Sequence, residues 1–264
     1  MERPTLMRIL PDVLKPRAFY RFYFPVPSKY AAACQNAPLS YAKGMSMTGL
    51  MPSDVIGGSI AMMGFYERKL SRRIAELARN GGRMIDVGAN IGYFSLIWLA
   101  GNSRNTVVAI EASPRNVKTL RANMAHNHID GRVEIHGKAA GEAPGTLAFD
   151  PGPEEQTGWG GLQSHASSGS ISVETVRVDS LVTDDQPIEV MKVDIEGADT
   201  WAILGAEALL RKRQIRHLFF EQNAARLAAL GIDENAATAL LKSHGYQLEL
   251  LDDEQQNKEW HAYC

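Results

Sequence analysis

A chain of 264 residues, 45% apolar and 22% charged, has the length for one large α/β domain with a modest extension and the balance of an ordinary folded protein. A formal net charge of -2 offers no overall basic footprint for nucleic acid, and two cysteines, Cys34 and Cys264, are too few for a disulfide framework and lack metal-ligand spacing. No stretch reaches the ~18 consecutive apolar residues of a membrane span, and Pro4, Pro11, Asp12 and Pro16 interrupt any signal core, so a cytoplasmic protein with no membrane span is the expectation.

Residues 1–45 differ from the rest. The first forty carry six Lys or Arg against two acids, Glu2 and Asp12, and six aromatics crowd between Phe19 and Tyr30. Frequent prolines forbid one long helix. A helical, aromatic arm over 1–45 is expected, packed on the core or on the second subunit of a homodimer, with the main domain over 46–264. A sharper reading makes the arm a lid over the substrate site or a weak contact with an anionic membrane surface.

From residue 83 onward two periodicities alternate. Arg83–Val87 reads as a buried strand, Tyr93–Ala100 as an apolar helix, and Thr106–Ile110 as a second strand. Pro114–Asn127 has helical spacing with proline in its first turn, and Arg132–His136 is a third strand. This order implies a parallel sheet with right-handed crossovers. The Gly-, Pro- and Ser-rich segment Gly141–Gly169 is expected to be irregular, and a loop of that length in a compact domain is usually functional. Strands follow at Ile171–Val178, Ile188–Asp194 and Ile215–Glu221, with helices at Asp199–Arg211 and Asn235–Ser243. Tyr246–Leu251 and Glu259–Tyr263 close the chain as an antiparallel pair.

The strongest constellation stands where the first strand ends. Asp86-Val87-Gly88-Ala89-Asn90-Ile91-Gly92 is a G-x-N-x-G turn leading straight into a helix, and its glycines let a ligand approach the backbone closely. Glu111, 23 residues beyond Gly88 at the tip of the next strand, can accept hydrogen bonds from both hydroxyls of a ribose. A dinucleotide fingerprint would want glycine at 90 and 93, where Asn90 and Tyr93 stand, so the set favours the sulfonium donor S-adenosylmethionine. Ala112 beside Glu111, and Lys138 with Ala139 after the third strand, are expected to flank its adenosine.

Four stretches carry a family resemblance: Gly64-Phe65-Tyr66-Glu67, Ile85–Leu96 (IDVGANIGYFSL), Ala109–Asn123 (AIEASPRNVKTLRAN) and Val190–Gly205 (VMKVDIEGADTWAILG), with Ile215–Asn223 adding a weaker match. They resemble the FkbM family of methyltransferases over roughly residues 64–251. The resemblance implies a class I methyltransferase, Rossmann-like α/β sheet: seven strands, mostly parallel, with an antiparallel C-terminal strand and helices on both faces. It also implies O-methylation of a hydroxyl on a sugar or natural product.

A hydroxyl acceptor needs its proton removed, so a base or a metal is expected beside the donor. Lys192, Asp194 and Glu196 alternate onto one face of the strand ending at 194. Asp194, which would also border the donor, is the first choice of base and Glu196 the second, with Lys192 orienting them. In the long loop, His165 is an alternative base and Trp159 a platform for a sugar ring. Asp194, Glu221 and Asn223 could supply an oxygen-rich site for magnesium, the less favoured reading. Two alternatives stand against methyl transfer: an NAD(P)-dependent oxidoreductase on a similar sheet, and a donor-binding protein without catalysis. Acceptor identity is beyond the sequence.

Overall fold

The computed structural model describes residues 3–254 and 257–264; Met1 and Glu2, the latter one of the two acids of the expected arm, lie outside them. The arm is helical in short pieces: α1 (Thr5–Ile9) and α2 (Lys15–Ala18), the second running on into a wide turn at Phe19–Tyr23. Pro16 occupies the first turn of α2, where its missing N–H costs nothing. A two-residue antiparallel pair, β1 (Ala37–Pro38) and β2 (Ser46–Met47), leads to α3 (Val55–Met63) and α4 (Arg68–Leu77). Asp54 caps α3, its carboxylate accepting from the N–H groups of Ile56 and Gly57.

The chain continues through β3 (Arg83–Val87), α5 (Tyr93–Gly101), β4 (Thr106–Ile110), α6 (Pro114–His126) and β5 (Val133–His136). Next come β6 (Ala139–Ala140), β7 (Gly145–Asp150), β8 (Gly161–Gln163) and β9 (Ile171–Val176). The last third holds β10 (Ile188–Val193), α7 (Asp199–Leu204), α8 (Glu207–Arg211), β11 (Ile215–Asn223), α9 (Ala224–Leu230), α10 (Ala236–Ser243), β12 (Gln247–Glu254) and β13 (Asn257–Tyr263). Seven strands form the main sheet in the order β12-β13-β11-β10-β3-β4-β5. Its neighbours from β11 to β5 are parallel, and β13 runs antiparallel to both β11 and β12. The expected class I sheet is therefore the fold.

Alternation along the strands explains why helices cover both faces. Met84, Val107 and Ala109 point to one side, where they meet Ile60 of α3, Ile74 of α4, Trp98 of α5 and Leu120 of α6. Their neighbours Ile85, Val108 and Ile110 point to the other, among Ile203 of α7, Leu209 of α8 and Leu241 of α10. The inner side of the arm joins the first core through Met7, Phe19, Tyr30 and Cys34.

Two expectations are corrected. The segment Gly141–Gly169 is not irregular throughout: β7 and β8 join β6 and β9 in a second sheet, order β6-β9-β7-β8. Phe149 and Leu162 pack with Val173, Ala139 and Ala198 in a small separate core, apolar positions scattered too thinly among Gly, Pro and Ser to read as strands. What stays irregular is Gly141–Pro144, Pro151–Gly160 and Ser164–Ser170. The helix expected over Asp199–Arg211 is broken into α7 and α8 at Gly205, which lies against the carbonyl of Gly141 and gives its own carbonyl to the N–H of Asp179.

Candidate active site

The tips of β3, β4 and β10 open onto one pocket, the crevice at the carboxyl ends of the sheet where ligands of such folds bind. At its floor Gly88 sits at φ +74, and a Cβ there would collide with the backbone oxygen of Asp194, so the turn requires glycine both for its dihedral and for the space. The N–H groups of Gly88 and Ala89 both bond to the carbonyl of Ile110, drawing the β3 turn against the β4 tip. Glu111 is buried there. One of its oxygens accepts from the N–H of Asn90 and the other from the N–H of Ser113, each at 2.8 Å. Burial raises its carboxyl above the usual range, opposed by those two amides and by the Asn116 side chain.

The sequence-predicted residues divide into two groups. Gly88, Ala89, Asn90, Glu111, Ala112, Lys138, Ala139, Lys192, Asp194, Glu196 and Glu221 line the pocket. Asp86, Gly92, His165 and Asn223 do not. Asp86 lies beneath the turn, bonded by the Ser95 hydroxyl at 2.6 Å and opposite Lys192 in the pairing of β3 with β10. Gly92, at φ +92, instead lets α5 close onto Leu120 and Met124 of α6. His165 is exposed beyond β8, where Ser164–Ser170 turns outward on its own hydrogen bonds. Asn223 caps α9 by accepting from the N–H of Arg226. Of the set Asp194, Glu221 and Asn223, the first two share the pocket while the side-chain oxygen of the third is engaged by α9, and among the described residues no group of three or more His, Cys, Asp or Glu could hold a metal ion.

Carboxylates surround the open end of β10. Lys192, fully buried, reaches Asp194 at 2.9 Å and lies 4.8 Å from the centre of the Phe94 ring. Burial alone would depress the Lys192 ammonium, but Asp194, Asp86 and Glu67 outweigh it and hold it above its ordinary value. Glu196 is pushed up to about 7 by burial and then by Asp194, with Arg226 opposing. Glu221 reaches about 8, by burial first and then by Asp194, Asp199, Glu196 and Glu67. Glu67 rises to about 7 through burial and Asp194. Glu67, Asn90 and Glu196 also hold left-handed backbone conformations, at φ 42, 50 and 55. Such conformations in non-glycine residues cost about 1–3 kcal/mol each and gather at functional sites.

Several pocket residues escaped the sequence reading. Glu67 stood only inside a matching stretch, and nothing local marks its backbone turn. Pro151–Gly160 roofs the pocket as a strap. The Thr157 hydroxyl donates to Asp54 at 2.7 Å, and the Thr157 carbonyl accepts from the Asn90 and Asn116 amides at 3.2 and 2.8 Å. The Arg115 guanidinium holds the carbonyls of Pro151, Pro153 and Gln156. A signal for Asp54 was present, since an acid before an apolar run is a helix cap. Thr157 had none.

The pocket suits an adenosine-bearing donor. Glycine and alanine leave room at the turn and at Ala112 and Ala139, and the side-chain oxygens of Asn90 and Asn116 are buried with no hydrogen-bond partner among the described residues. A seven-stranded sheet with its last strand reversed, and such a pocket over its first two tips, define a class I methyltransferase. The family model for the methyltransferase FkbM domain matches residues 86–248, so the chain belongs to the FkbM family of S-adenosylmethionine-dependent methyltransferases. No curated protein matches it. Among solved structures, a human methyltransferase 10 domain containing protein is 11% identical with a TM-score of 0.49, over 92% of this chain and 97% of that one. The precorrin-6y C5,15-methyltransferase of Geobacter metallireducens is 10% identical, TM-score 0.45, over 76% and 91%. An S-adenosylmethionine-dependent O-methyltransferase of Thermotoga maritima is 11% identical, TM-score 0.45, over 75% and 66%. No helix among the described residues is long and apolar enough to cross a membrane.

Proposed function

We propose that this methyltransferase acts on oxygen, transferring a methyl group to a hydroxyl of a sugar or small natural product. The observation that carries the proposal is the cluster Asp194, Glu196 and Glu221 beside the donor turn. Burial and mutual repulsion raise the proton affinity of two of them, Glu196 to about 7 and Glu221 to about 8, so that once ionised they are stronger bases toward a hydroxyl than an ordinary carboxylate. In this reading Glu111, Asn90 and Asn116 hold the nucleoside, with Ala112, Lys138 and Ala139 at its edge and Asp86 supporting the turn from beneath. When bound, the sulfonium supplies an activated methyl carbon. Asp194, ion-paired with Lys192, orients the acceptor hydroxyl and takes its proton, with Glu196 next in line. Alignment of the two reactants supplies much of the remaining rate. The side-chain oxygen of Asn223 accepts from the N–H of Arg226 at the start of α9, and no metal enters the proposal.

The test is an assay of the protein with labelled donor against a panel of hydroxylated small molecules, locating the new methyl by mass spectrometry. Methyl on oxygen, in an amount that collapses in Asp194→Asn, is the expected result. Methyl found only on nitrogen or carbon acceptors contradicts the proposal.

A further inference from the structure

The arm buries one side and leaves the other apolar. Arg3 pins it to the body, donating to the carbonyls of Ala61, Ile60 and Pro38, while Phe19 and Tyr30 pack beneath it. Ten large apolar side chains are exposed among the described residues, and seven of them lie between Leu6 and Val26. Ile9 is 73% exposed, Val13 62% and Phe22 59%, far more than scattered surface contacts require. Through α2 and the turn after it, Val13, Leu14, Arg17, Tyr20 and Arg21 recur at three- and four-residue spacing, one outward stripe.

Charge selects the occupant. Arg17 and Arg21 are exposed within this stripe and Lys29 further along the arm, and Asp12, the single acid of the described arm, is taken by Lys15 at 2.7 Å. Apolar side chains interleaved with cations, and no competing acid, are what an interfacial segment needs: the apolar groups enter the headgroup boundary while the cations meet lipid phosphates. A second copy of the chain fits poorly. A two-fold interface puts the same patch on both sides, so it would bring two surfaces of like positive charge together. Single-stranded RNA would use stacked aromatics along a groove, whereas Ile9, Val13 and Leu14 are aliphatic.

We propose that the outward face of residues 6–29 docks the enzyme on an anionic lipid surface. This goes beyond the proposed methyl transfer and does not depend on it.

Co-sedimentation of the full chain with vesicles of phosphatidylcholine alone, or with added phosphatidylglycerol, tests this. Binding to the anionic vesicles only is expected, falling as salt rises from about 0.1 to about 0.5 M. Each cation removed should weaken partitioning about fivefold. Arg17→Glu with Arg21→Glu should therefore abolish sedimentation, and Ile9→Ser with Phe22→Ser should weaken it, while S-adenosylhomocysteine still raises the melting temperature of both variants. Should either variant fail to fold, the salt titration of the natural protein decides alone. The proposal is overturned by no vesicle binding, by equal binding to neutral vesicles, or by salt-insensitive binding. It is equally overturned by an RNA oligonucleotide that binds where vesicles do not, or by a dimer in sedimentation equilibrium that Phe22→Ser dissolves.

Discussion

Asp194 and Glu111 line the same pocket yet are asked to do different things, and substitution separates them. Asp194→Asn keeps the shape and leaves Lys192 without its ion-pair partner, so turnover should fall at least about a hundredfold, the usual worth of a positioned base. Affinity for S-adenosylhomocysteine, read by calorimetry, should change little; a loss of both together would make Asp194 a donor-binding residue instead. Glu196 and Glu221, at about 7 and about 8, predict a pH effect of definite sign. As pH rises from about 6.5 to about 8.5 they ionise, so the cationic S-adenosylmethionine should bind more tightly while S-adenosylhomocysteine, with no charge on sulfur, changes less. Equal pH slopes for the two ligands would remove the carboxylates from the donor's surroundings. At this scale the sequence was most legible where backbone demands are strict. Gly88 and Glu111 could be placed because a turn between strand and helix, and a carboxylate one strand further on, have few other uses. His165 and Asn223 could not, since whether a polar side chain faces a pocket or solvent depends on a loop's path.

The strap Pro151–Gly160 is the element whose behaviour matters most. It touches the donor turn at Asn90 and the start of α3 at Asp54, and so ties two walls of the pocket together. Thr157→Val removes a hydroxyl bonded to a buried carboxylate, an interaction worth about 1.5–3 kcal/mol. Stopped-flow displacement should then show S-adenosylhomocysteine leaving about ten times faster or more. An unchanged rate would mean that the strap does not gate the pocket. The main strands were readable because three of them, β3, β4 and β10, are short apolar runs buried on both faces. β7 and β8 were not, for they bury only one face, on a core of a few side chains. The break between α7 and α8 was equally hidden, because it answers to Gly141 more than sixty residues away.

For the whole molecule, the buried acids make the donor-free protein pH-sensitive. Glu67, Glu196, Asp199 and Glu221 all have folded values raised above their unfolded ones, so the folded state binds more protons between roughly pH 4.5 and 8 and loses stability as pH climbs through that range. His217, pushed down to about 4 mainly by burial, has the opposite sign, but its contribution is complete by about pH 6.5. The melting temperature should therefore fall from about pH 6.5 to about pH 8, and Glu221→Gln should flatten that slope. A flat profile in the natural protein would show that these carboxyls are not held protonated. The parallel order of the sheet followed from the alternation of strands and helices, whereas the way the arm divides into a packed face and a bare one could be seen only once the core had been assembled against it.

All of this rests on a nucleoside seated over the ends of β3 and β4. A crystal structure of the complex with S-adenosylhomocysteine is the most direct test. The account predicts both ribose hydroxyls on the Glu111 carboxylate and the sulfur turned toward Asp194; a ligand lodged elsewhere, or a Glu111 that touches none of it, would contradict the account.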